Sequence, residues 1–267
     1  MKQRVITAIL AFIIFIPFVI FGGLYFELFV YFLATLGLIE LMRMRDIGKY
    51  SVPSFLAVIL LWLLLLQEPT DIVPVVWFTK SEIIMLFVMI LLSYTVLVKN
   101  KFTFDDAGFI LLSTIYVGMG FYYLLATRGS SGDFEGLINI FYVLVIIWVT
   151  DTGAYIAGRA FGKKKLWPMI SPNKTIEGAA GGIVAACFAG VIFQVIEPVS
   201  YSMIIVILVT ILVSVFGQIG DLVESAFKRH YGVKDSGDLL PGHGGILDRL
   251  DSLLFVLPLL HFINFFS

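Results

Sequence analysis

Long runs of apolar residues alternate with short polar segments along the whole of this 267-residue chain. A helix that crosses the hydrocarbon core of a bilayer needs about 20 consecutive, mainly apolar residues. Nine runs approach that length, and each of them predicts a membrane-spanning helix. The predicted spans are 5–22, 24–42, 52–67, 83–98, 107–127, 136–155, 178–197, 201–225 and 250–266.

The composition favours lipid as the environment of these runs. Hydrophobic residues make up 60% of the chain and charged residues only 14%, and the mean hydropathy is +1.00. A soluble domain is typically about 45–50% apolar and about 25% charged, so a single water-soluble core would not cover this much apolar surface. The predicted fold class is therefore an all-α polytopic integral membrane protein with about nine transmembrane helices.

The distribution of positive charge predicts which side of the membrane each loop faces. Basic residues concentrate in cytoplasmic loops, and an odd number of spans places the two termini on opposite sides. With a cytoplasmic N-terminus, all of the 18 Lys and Arg residues except Lys80 and Arg128 lie on the cytoplasmic side. This orientation predicts a multi-pass protein of the inner cell membrane, whose long polar loops, 158–177 and 226–249, face the cytoplasm.

The two halves of the chain differ in their polar content. Residues 1–135 have short loops and predict about five structural spans, whereas residues 136–267 carry both long loops and most intramembrane polar groups. The second part is therefore the predicted catalytic region, with about four spans. Small residues spaced four apart, such as Gly178 and Gly182, allow close helix packing and permit a homodimer without requiring one.

Acidic residues gather where the last two predicted spans approach the cytoplasm. Asp221 and Glu224 lie toward the end of span eight, and Asp248 and Asp251 share one helix face where span nine begins. Ionisable groups at a membrane are costly and usually face a partner or a water-filled cavity. Carboxylates that converge there repel one another, and a hard divalent cation such as Mg²⁺ would remove this cost. Alternatively, the acids form ion pairs with the neighbouring bases Lys228, Arg229 and Arg249.

Basic residues and a glycine-rich turn connect these two acidic segments. Lys228, Arg229 and Lys234 come first, and the turn Pro241–Gly245 follows. Glycine lets backbone amides approach phosphate oxygens, so this arrangement suits a metal-bound polyphosphate. An ordinary juxtamembrane loop that holds anionic lipid headgroups is the alternative interpretation.

The other long loop contains a second polar motif. Ser171 and Thr175 offer hydroxyl groups there, and Lys174 offers a cation. Asp151, at the end of span six, has three open interpretations: it caps a neighbouring helix, it pairs with Arg159, or it adds a carboxylate to the site.

The segment Ser225–Asp251 resembles the signature of the phosphatidate cytidylyltransferases, also called CDP-diacylglycerol synthases. The fixed positions of that signature are all filled, by Ser225, Lys228, Arg229, Lys234, Asp235, His243, Gly244, Gly245, Asp248, Arg249 and Asp251. The segment Ser171–Gly178 is similar to a further motif of these enzymes. The two motifs cover the C-terminal third of the chain, and residues 1–135 match only as a generic series of spans.

The resemblance implies a reaction in which CTP and phosphatidic acid give CDP-diacylglycerol and pyrophosphate, with Mg²⁺ required, in phospholipid biosynthesis. It implies membrane lipid as a partner and no nucleic acid. We expect the metal ion, and a second one if two are bound, to be held by Asp221, Asp248 and Asp251, with Asp151 as an additional candidate. We expect Lys228 and Arg249 to complete the catalytic group. The expected substrate-binding residues are Ser171, Lys174, Thr175, Arg229, Lys234, His243, Gly244 and Gly245.

Two other functions fit parts of the pattern. A CTP-dependent lipid kinase of the same superfamily, such as a dolichol kinase, would transfer the γ-phosphoryl group and release CDP. A transporter would also carry intramembrane acids, but it predicts internal repeats and interrupted helices near the midplane. Here the acids gather near the cytoplasmic ends of the predicted spans.

Overall fold

The computed structural model describes residues 2–47, 52–67, 78–129, 134–199, 202–239, 242 and 244–266. Nine α-helices contain most of this described part of the chain. They are α1 (Lys2–Phe21), α2 (Gly23–Met44), α3 (Val52–Leu65), α4 (Lys80–Leu97), α5 (Phe104–Arg128), α6 (Phe134–Phe161), α7 (Ile176–Ile196), α8 (Met203–His230) and α9 (Leu247–Phe262). Each predicted apolar run falls on one of these helices, so the predominantly helical class is confirmed.

Six helices in the described residues are long and apolar enough to cross a membrane: α2, α4, α5, α6, α7 and α8. Helices α3 and α9 have 14 and 16 residues, fewer than the about 20 that a full crossing needs. The count of nine spans and the orientation of the chain therefore stay predictions.

The prediction of an all-α chain is wrong in one place, between α6 and α7. Strands β1 (Lys165–Trp167) and β2 (Ser171–Thr175) form an antiparallel hairpin, in which Trp167 is opposite Ser171 and Lys165 is opposite Thr175. Strand β2 leads directly into α7, and the Thr175 side chain caps that helix by accepting from the Gly178 N–H at 3.1 Å. The hairpin thus fixes the polar motif Ser171–Thr175 against the start of α7.

Both predicted cytoplasmic loops are shorter than expected, because α6 continues through Phe161 and α8 through His230. The basic residues in the last turn of α8 favour helix there, since they complement the negative end of the helix dipole. Gly232, at φ +67°, then ends the helix. The Gly232 N–H donates to the Arg229 carbonyl at 3.2 Å and the Val233 N–H to the Lys228 carbonyl at 2.9 Å, a Schellman arrangement.

Small residues pack the helices closely within the chain. Gly178, Gly182, Ala186 and Gly190 form the buried face of α7, and a Cβ on Gly182 would lie 3.1 Å from the Ala154 Cβ of α6. The stripe that permits a homodimer is thus used for packing inside one chain, and the homodimer stays a prediction.

Helices from the first half of the chain also pack against the second half. A Cβ on Gly120 of α5 would lie 2.8 Å from the Leu254 Cβ of α9, and a Cβ on Gly37 of α2 would lie 3.0 Å from the Leu247 side chain. The N-terminal helices therefore support α9 directly. The division into a structural part, 1–135, and a catalytic part, 136–267, stays a prediction.

Candidate active site

A cavity of about 820 Å³ lies between the N-terminal helices and the ends of α6, α8 and α9. One part of its wall is charged and polar: Asp151, Thr152, Asp221, Glu224, Lys228, Asp235, Asp248, Arg249 and Asp251. Another part is apolar and comes from α1, α2 and α6: Phe12, Phe15, Phe29, Phe32, Leu33, Leu144 and Trp148. The cavity therefore offers a charged region and a hydrophobic region to one occupant or to two.

Asp248 is the most extensively bonded acid of the charged wall. Its Oδ1 lies 2.5 Å from the Lys228 Nζ. Its Oδ2 accepts from the Ser236 N–H, the Ser236 hydroxyl and the Gly245 N–H, each at 2.8 Å. Burial alone would raise the pKa of this carboxyl, which precedes the predicted span 250–266, but the hydrogen bonds outweigh burial and hold the pKa below its usual range. Asp248 is thus an ionised anchor for Lys228.

Lys228 bridges two acids from different elements. Its ammonium group also lies 3.2 Å from the Glu224 Oε2, one turn earlier in α8, and its side chain is only 12% exposed. A buried cation with two carboxylate partners keeps a fixed position. The alternative interpretation of the sequence, in which the acids pair with nearby bases, is therefore correct for Asp248 and Lys228.

The hairpin brings the second motif to the same wall. The Lys174 Nζ, on β2, lies 2.6 Å from the Asp221 Oδ2, and the Ser225 hydroxyl donates to the Asp221 Oδ1 at 3.3 Å. Two segments that are 47 residues apart in the chain thus meet through one ion pair. Lys174 thus lies at the acidic cluster, and its predicted role in binding substrate stays a prediction.

Glu224 and Asp251 form a pair of neighbouring carboxylates in the cavity wall. Both residues are buried, with 1% and 8% exposure, and their carboxyl groups are in side-chain contact. Among the described residues, the Glu224 Oε1 nevertheless has no hydrogen-bond donor, and two ionised carboxylates could not donate to each other because they can only accept. A proton shared between the two carboxyl groups, or a bound cation, would provide a partner for the Glu224 Oε1.

The acids around this pair fit Mg²⁺ in their chemistry. Asp151 and Asp221 lie close enough to Asp251 to interact with it electrostatically, and oxygen ligands are those that Mg²⁺ prefers. Among the described residues, however, no three His, Cys, Asp or Glu side chains are arranged closely enough to hold a metal ion. Since both oxygens of Asp248 are engaged, the metal site of Asp221, Asp248 and Asp251 stays a prediction.

The remaining predicted residues have different positions. Arg229 is exposed and its Nε donates to the Ile170 carbonyl at 3.2 Å, which ties the hairpin to α8. Ser171 begins β2, and Lys234 is exposed in the loop after α8. His243 lies outside the described residues.

Two further predicted residues, Thr175 and Gly245, serve the fold through their contacts. Thr175 caps α7, and the Gly245 N–H donates to Asp248. Gly244, at φ +82°, has no room for a Cβ because the Asp248 carboxylate occupies that space. The glycine-rich turn thus encloses Asp248, and its predicted contact with phosphate stays a prediction.

The three interpretations of Asp151 can be compared with its position. Asp151 lies inside α6, which continues for ten residues to Phe161, and it lines the cavity. Arg159 donates instead to the Tyr155 hydroxyl at 3.4 Å. The position of Asp151 therefore supports its interpretation as a further carboxylate of the site.

Three residues that line or support the site are not predicted as site residues from the sequence. The sequence places Glu224 in the acidic cluster without assigning it a role, and it singles out neither Ser236 nor Glu40. Glu40 had a signal, because it is an ionisable residue inside the predicted span 24–42 and such residues are usually functional. Ser236 had none, because its importance lies in contacts that form only on folding.

The fold and the cavity together define a helical protein that has six candidate membrane spans in its described residues and a site of carboxylates and lysines beside an apolar wall. This class matches what the comparison with known proteins shows. The model of the cytidylyltransferase family matches residues 2–266, and the chain belongs to that family. The resemblance seen in Ser225–Asp251 is thereby confirmed.

Curated relatives match over nearly the whole chain. The phosphatidate cytidylyltransferase of Bacillus subtilis (strain 168) is 51% identical over 263 residues, which are 98% of this chain and 97% of the relative. The phosphatidate cytidylyltransferase of Staphylococcus haemolyticus (strain JCSC1435) is 52% identical over 262 residues, 98% of each chain. That of Staphylococcus epidermidis (strain ATCC 12228 / FDA PCI 1200) is 50% identical, again over 98% of each chain.

Proposed function

We propose that this protein is a phosphatidate cytidylyltransferase, which transfers the cytidylyl group of CTP to phosphatidic acid and forms CDP-diacylglycerol and pyrophosphate. The observation that carries the proposal is the two-part wall of the cavity. The charged part suits a triphosphate, and the apolar part suits the acyl chains of a lipid. The relatives of about 50% identity, which bear this enzyme's name, support the same substrates.

In the proposed reaction, a phosphate oxygen of phosphatidic acid attacks the α-phosphorus of CTP. The new O–P bond forms as the bond from the α-phosphorus to the bridging oxygen breaks, and pyrophosphate leaves with that electron pair. The attacking oxygen is already anionic near neutral pH, so the step needs no strong base. Its main obstacle is repulsion between two anionic substrates, which positioned cations reduce.

Lys228, Lys174 and Arg249 are the cations that the chain would supply. Lys228 is held between Glu224 and Asp248, and Lys174 is held by Asp221. Arg249 lines the same cavity. Because their partners fix the two ammonium groups before substrate arrives, little reorganisation is needed when negative charge develops on the phosphates.

We assign Mg²⁺, or two metal ions, to the carboxylates near the Glu224–Asp251 contact. Asp221 and Asp251 would hold it, with Glu224 and Asp151 as additional ligands, and a bound Mg²⁺ would neutralise phosphate charge. Asp248 would join this set only if Lys228 moved away from it, because its oxygens already accept four hydrogen bonds. Asp221 would likewise bind the metal through Oδ2 only if Lys174 left that oxygen.

The membrane arrangement belongs to the same proposal. We infer nine crossings of the inner cell membrane, a cytoplasmic N-terminus and a site that faces the cytoplasm, where CTP is available. The bias of Lys and Arg residues toward one side supports this orientation. In this arrangement phosphatidic acid would enter sideways from the inner leaflet along the apolar wall.

Product analysis with purified protein in detergent tests the proposed reaction. With CTP, phosphatidic acid and Mg²⁺, we expect CDP-diacylglycerol and pyrophosphate in equal amounts, by mass spectrometry of the lipid and an enzymatic pyrophosphate assay. Release of CDP together with a phosphorylated lipid would instead show a CTP-dependent kinase. Absence of any lipid product would contradict both enzyme assignments.

A further inference from the structure

Glu40 is a buried acid in α2, far in sequence from both motifs of the site. It is 4% exposed. Its Oε1 accepts from the Ile246 N–H at 2.8 Å, and its Oε2 accepts from the Leu247 N–H at 3.0 Å and from the Ser236 hydroxyl at 3.1 Å. Burying a charge is costly unless hydrogen bonds compensate for it, so this set of three donors indicates a specific site for the carboxylate.

Two of the three donors, the Ile246 and Leu247 N–H groups, lie at the start of α9, and the third, the Ser236 hydroxyl, belongs to the loop between α8 and α9. The first N–H groups of a helix have no partners within the helix, and the N-cap residue of α9, Ile246, provides no side-chain cap. Glu40 supplies that cap from another helix, and its negative charge complements the positive end of the α9 dipole. The Asp248 N–H, next in line, lies 3.4 Å from the Ser236 hydroxyl.

Ser236 connects Glu40 to the charged wall of the cavity. Its hydroxyl lies 3.1 Å from the Glu40 Oε2 and 2.8 Å from the Asp248 Oδ2. The single hydroxyl proton can be donated to only one of these carboxylates at a time, while the Ser236 N–H holds Asp248 at 2.8 Å. The network thus runs from Glu40 through Ser236 and Asp248 to Lys228.

The backbone around Glu40 leaves little room for any other arrangement. A Cβ on Gly237 would lie 2.8 Å from the Glu40 Oε1, and a Cβ on Gly245 would collide with the same carboxylate. Both glycines are in the segment that carries the resemblance. Their lack of a side chain lets the loop close over the carboxylate.

We propose that Glu40 is a positioning residue for the reaction. Glu40 is not among the described residues that line the cavity, so it acts through others. By capping α9 it sets the start of the helix that bears Asp248, Arg249 and Asp251, and through Asp248 it fixes Lys228. The N-terminal part of the chain therefore contributes to catalysis, in addition to its structural role. The kinetic side of this inference rests on the proposed function.

Glu40→Gln tests the inference, with Glu27→Gln in the same helix as the matched control. Glutamine keeps the shape, but its NH₂ group would face either the Ile246 N–H or the Leu247 N–H, and the charge at the helix end is lost. A small displacement of catalytic groups can cost about a hundredfold in rate. We expect kcat to fall at least tenfold, while the KM for CTP and the kcat of Glu27→Gln stay within about twofold of wild type.

Glu40→Asp is the conservative variant, and its kcat should lie between those of Glu40→Gln and wild type, because the charge is retained. Ser236→Ala should be non-additive with Glu40→Gln, since both act on one network. Gly237→Ala, which displaces the Glu40 carboxylate without changing charge, should also lower kcat. Gly108→Ala, where a Cβ meets nothing within 4 Å, is its control and should not. These variants keep the test decisive if Glu40→Gln does not fold.

Hydrogen exchange provides a readout that is independent of activity. In Glu40→Gln the amides of Ile246 and Leu247 should exchange faster than in wild type, by at least tenfold, while those of α5 stay unchanged. Unchanged kcat and unchanged exchange would overturn the positioning role. If the wild-type protein showed no cytidylyl transfer, the proposed function would be contradicted. Faster exchange in Glu40→Gln would then still support the structural role of Glu40 at the start of α9.

Discussion

Replacement of Asp248 by asparagine tests the charged wall most severely. The carboxylate holds the Lys228 ammonium on one oxygen and three donors from Ser236 and Gly245 on the other. An asparagine side chain has one carbonyl oxygen and one NH₂ group. Whichever way it is oriented, NH₂ faces either Lys228 or the backbone donors, and the ion pair is lost.

The size of the effect follows from burial and from the partners that remain. The side chains of Lys228 and Asp248 are 12% and 6% exposed, and breaking a buried pair by removing one partner typically costs about 3–5 kcal/mol. Lys228 keeps Glu224 at 3.2 Å, so we take the lower end, about 3 kcal/mol. If this loss appears in the transition state, it corresponds to about a 150-fold lower kcat/KM, at about 1.36 kcal/mol per factor of ten.

The assay is steady-state formation of CDP-diacylglycerol by purified Asp248→Asn in detergent, at saturating Mg²⁺. Asp238→Asn is the matched control, since Asp238 is an exposed acid of the same loop, and it should retain wild-type kinetics. Asp248→Asn with turnover within twofold of wild type would refute the idea that this carboxylate anchors Lys228 for catalysis.

Three other expectations follow from the structure. Lys174→Met should raise the KM for CTP about tenfold, by analogy with the loss of one charged hydrogen bond. Thermal stability should change little, because the ion pair between Lys174 and Asp221 is partly exposed. Lys163→Met is the control, and an unchanged KM for CTP in Lys174→Met would contradict the role of Lys174 in binding CTP. Trp148→Ala should raise the KM for phosphatidic acid and leave that for CTP unchanged, because Trp148 lines the apolar wall; equal changes in both would count against separate regions. Gly120→Ala should destabilise the fold by about 1–3 kcal/mol in thermal unfolding, since its Cβ would meet Leu254 at 2.8 Å, and an unchanged midpoint would disprove tight packing there.

Hydrophobic patterning was sufficient to predict the helices, because an apolar run of span length has few other stable structures in lipid. It could not predict the helix ends. Helix α8 continues to His230 through the basic residues of its last turn, a stretch whose polarity resembles that of a loop. The hairpin was also missed, since β1 has only three residues and shows no usable alternation.

The sequence predicted which residues belong to the candidate site, but not which hydrogen bonds and ion pairs they form. The sequence motifs predicted Asp221, Lys228 and Asp248 as members of one site, and in the structure all three line one cavity. The motifs could not show that Lys228 occupies one oxygen of Asp248, because pairing among several acids and bases depends on tertiary geometry. The contact from Glu40 to Ser236 spans 196 residues of sequence, and no local pattern records it.

A structure of the protein with CTP and Mg²⁺ bound, determined in detergent or nanodiscs, tests directly whether the cavity is the site of the reaction. We expect the triphosphate against the charged wall, with phosphate oxygens within hydrogen-bonding distance of Lys174, Lys228 or Arg249 and the metal ion on Asp221 and Asp251. A nucleotide bound outside this cavity, or a metal ion that none of its carboxylates contacts, would contradict the proposed site.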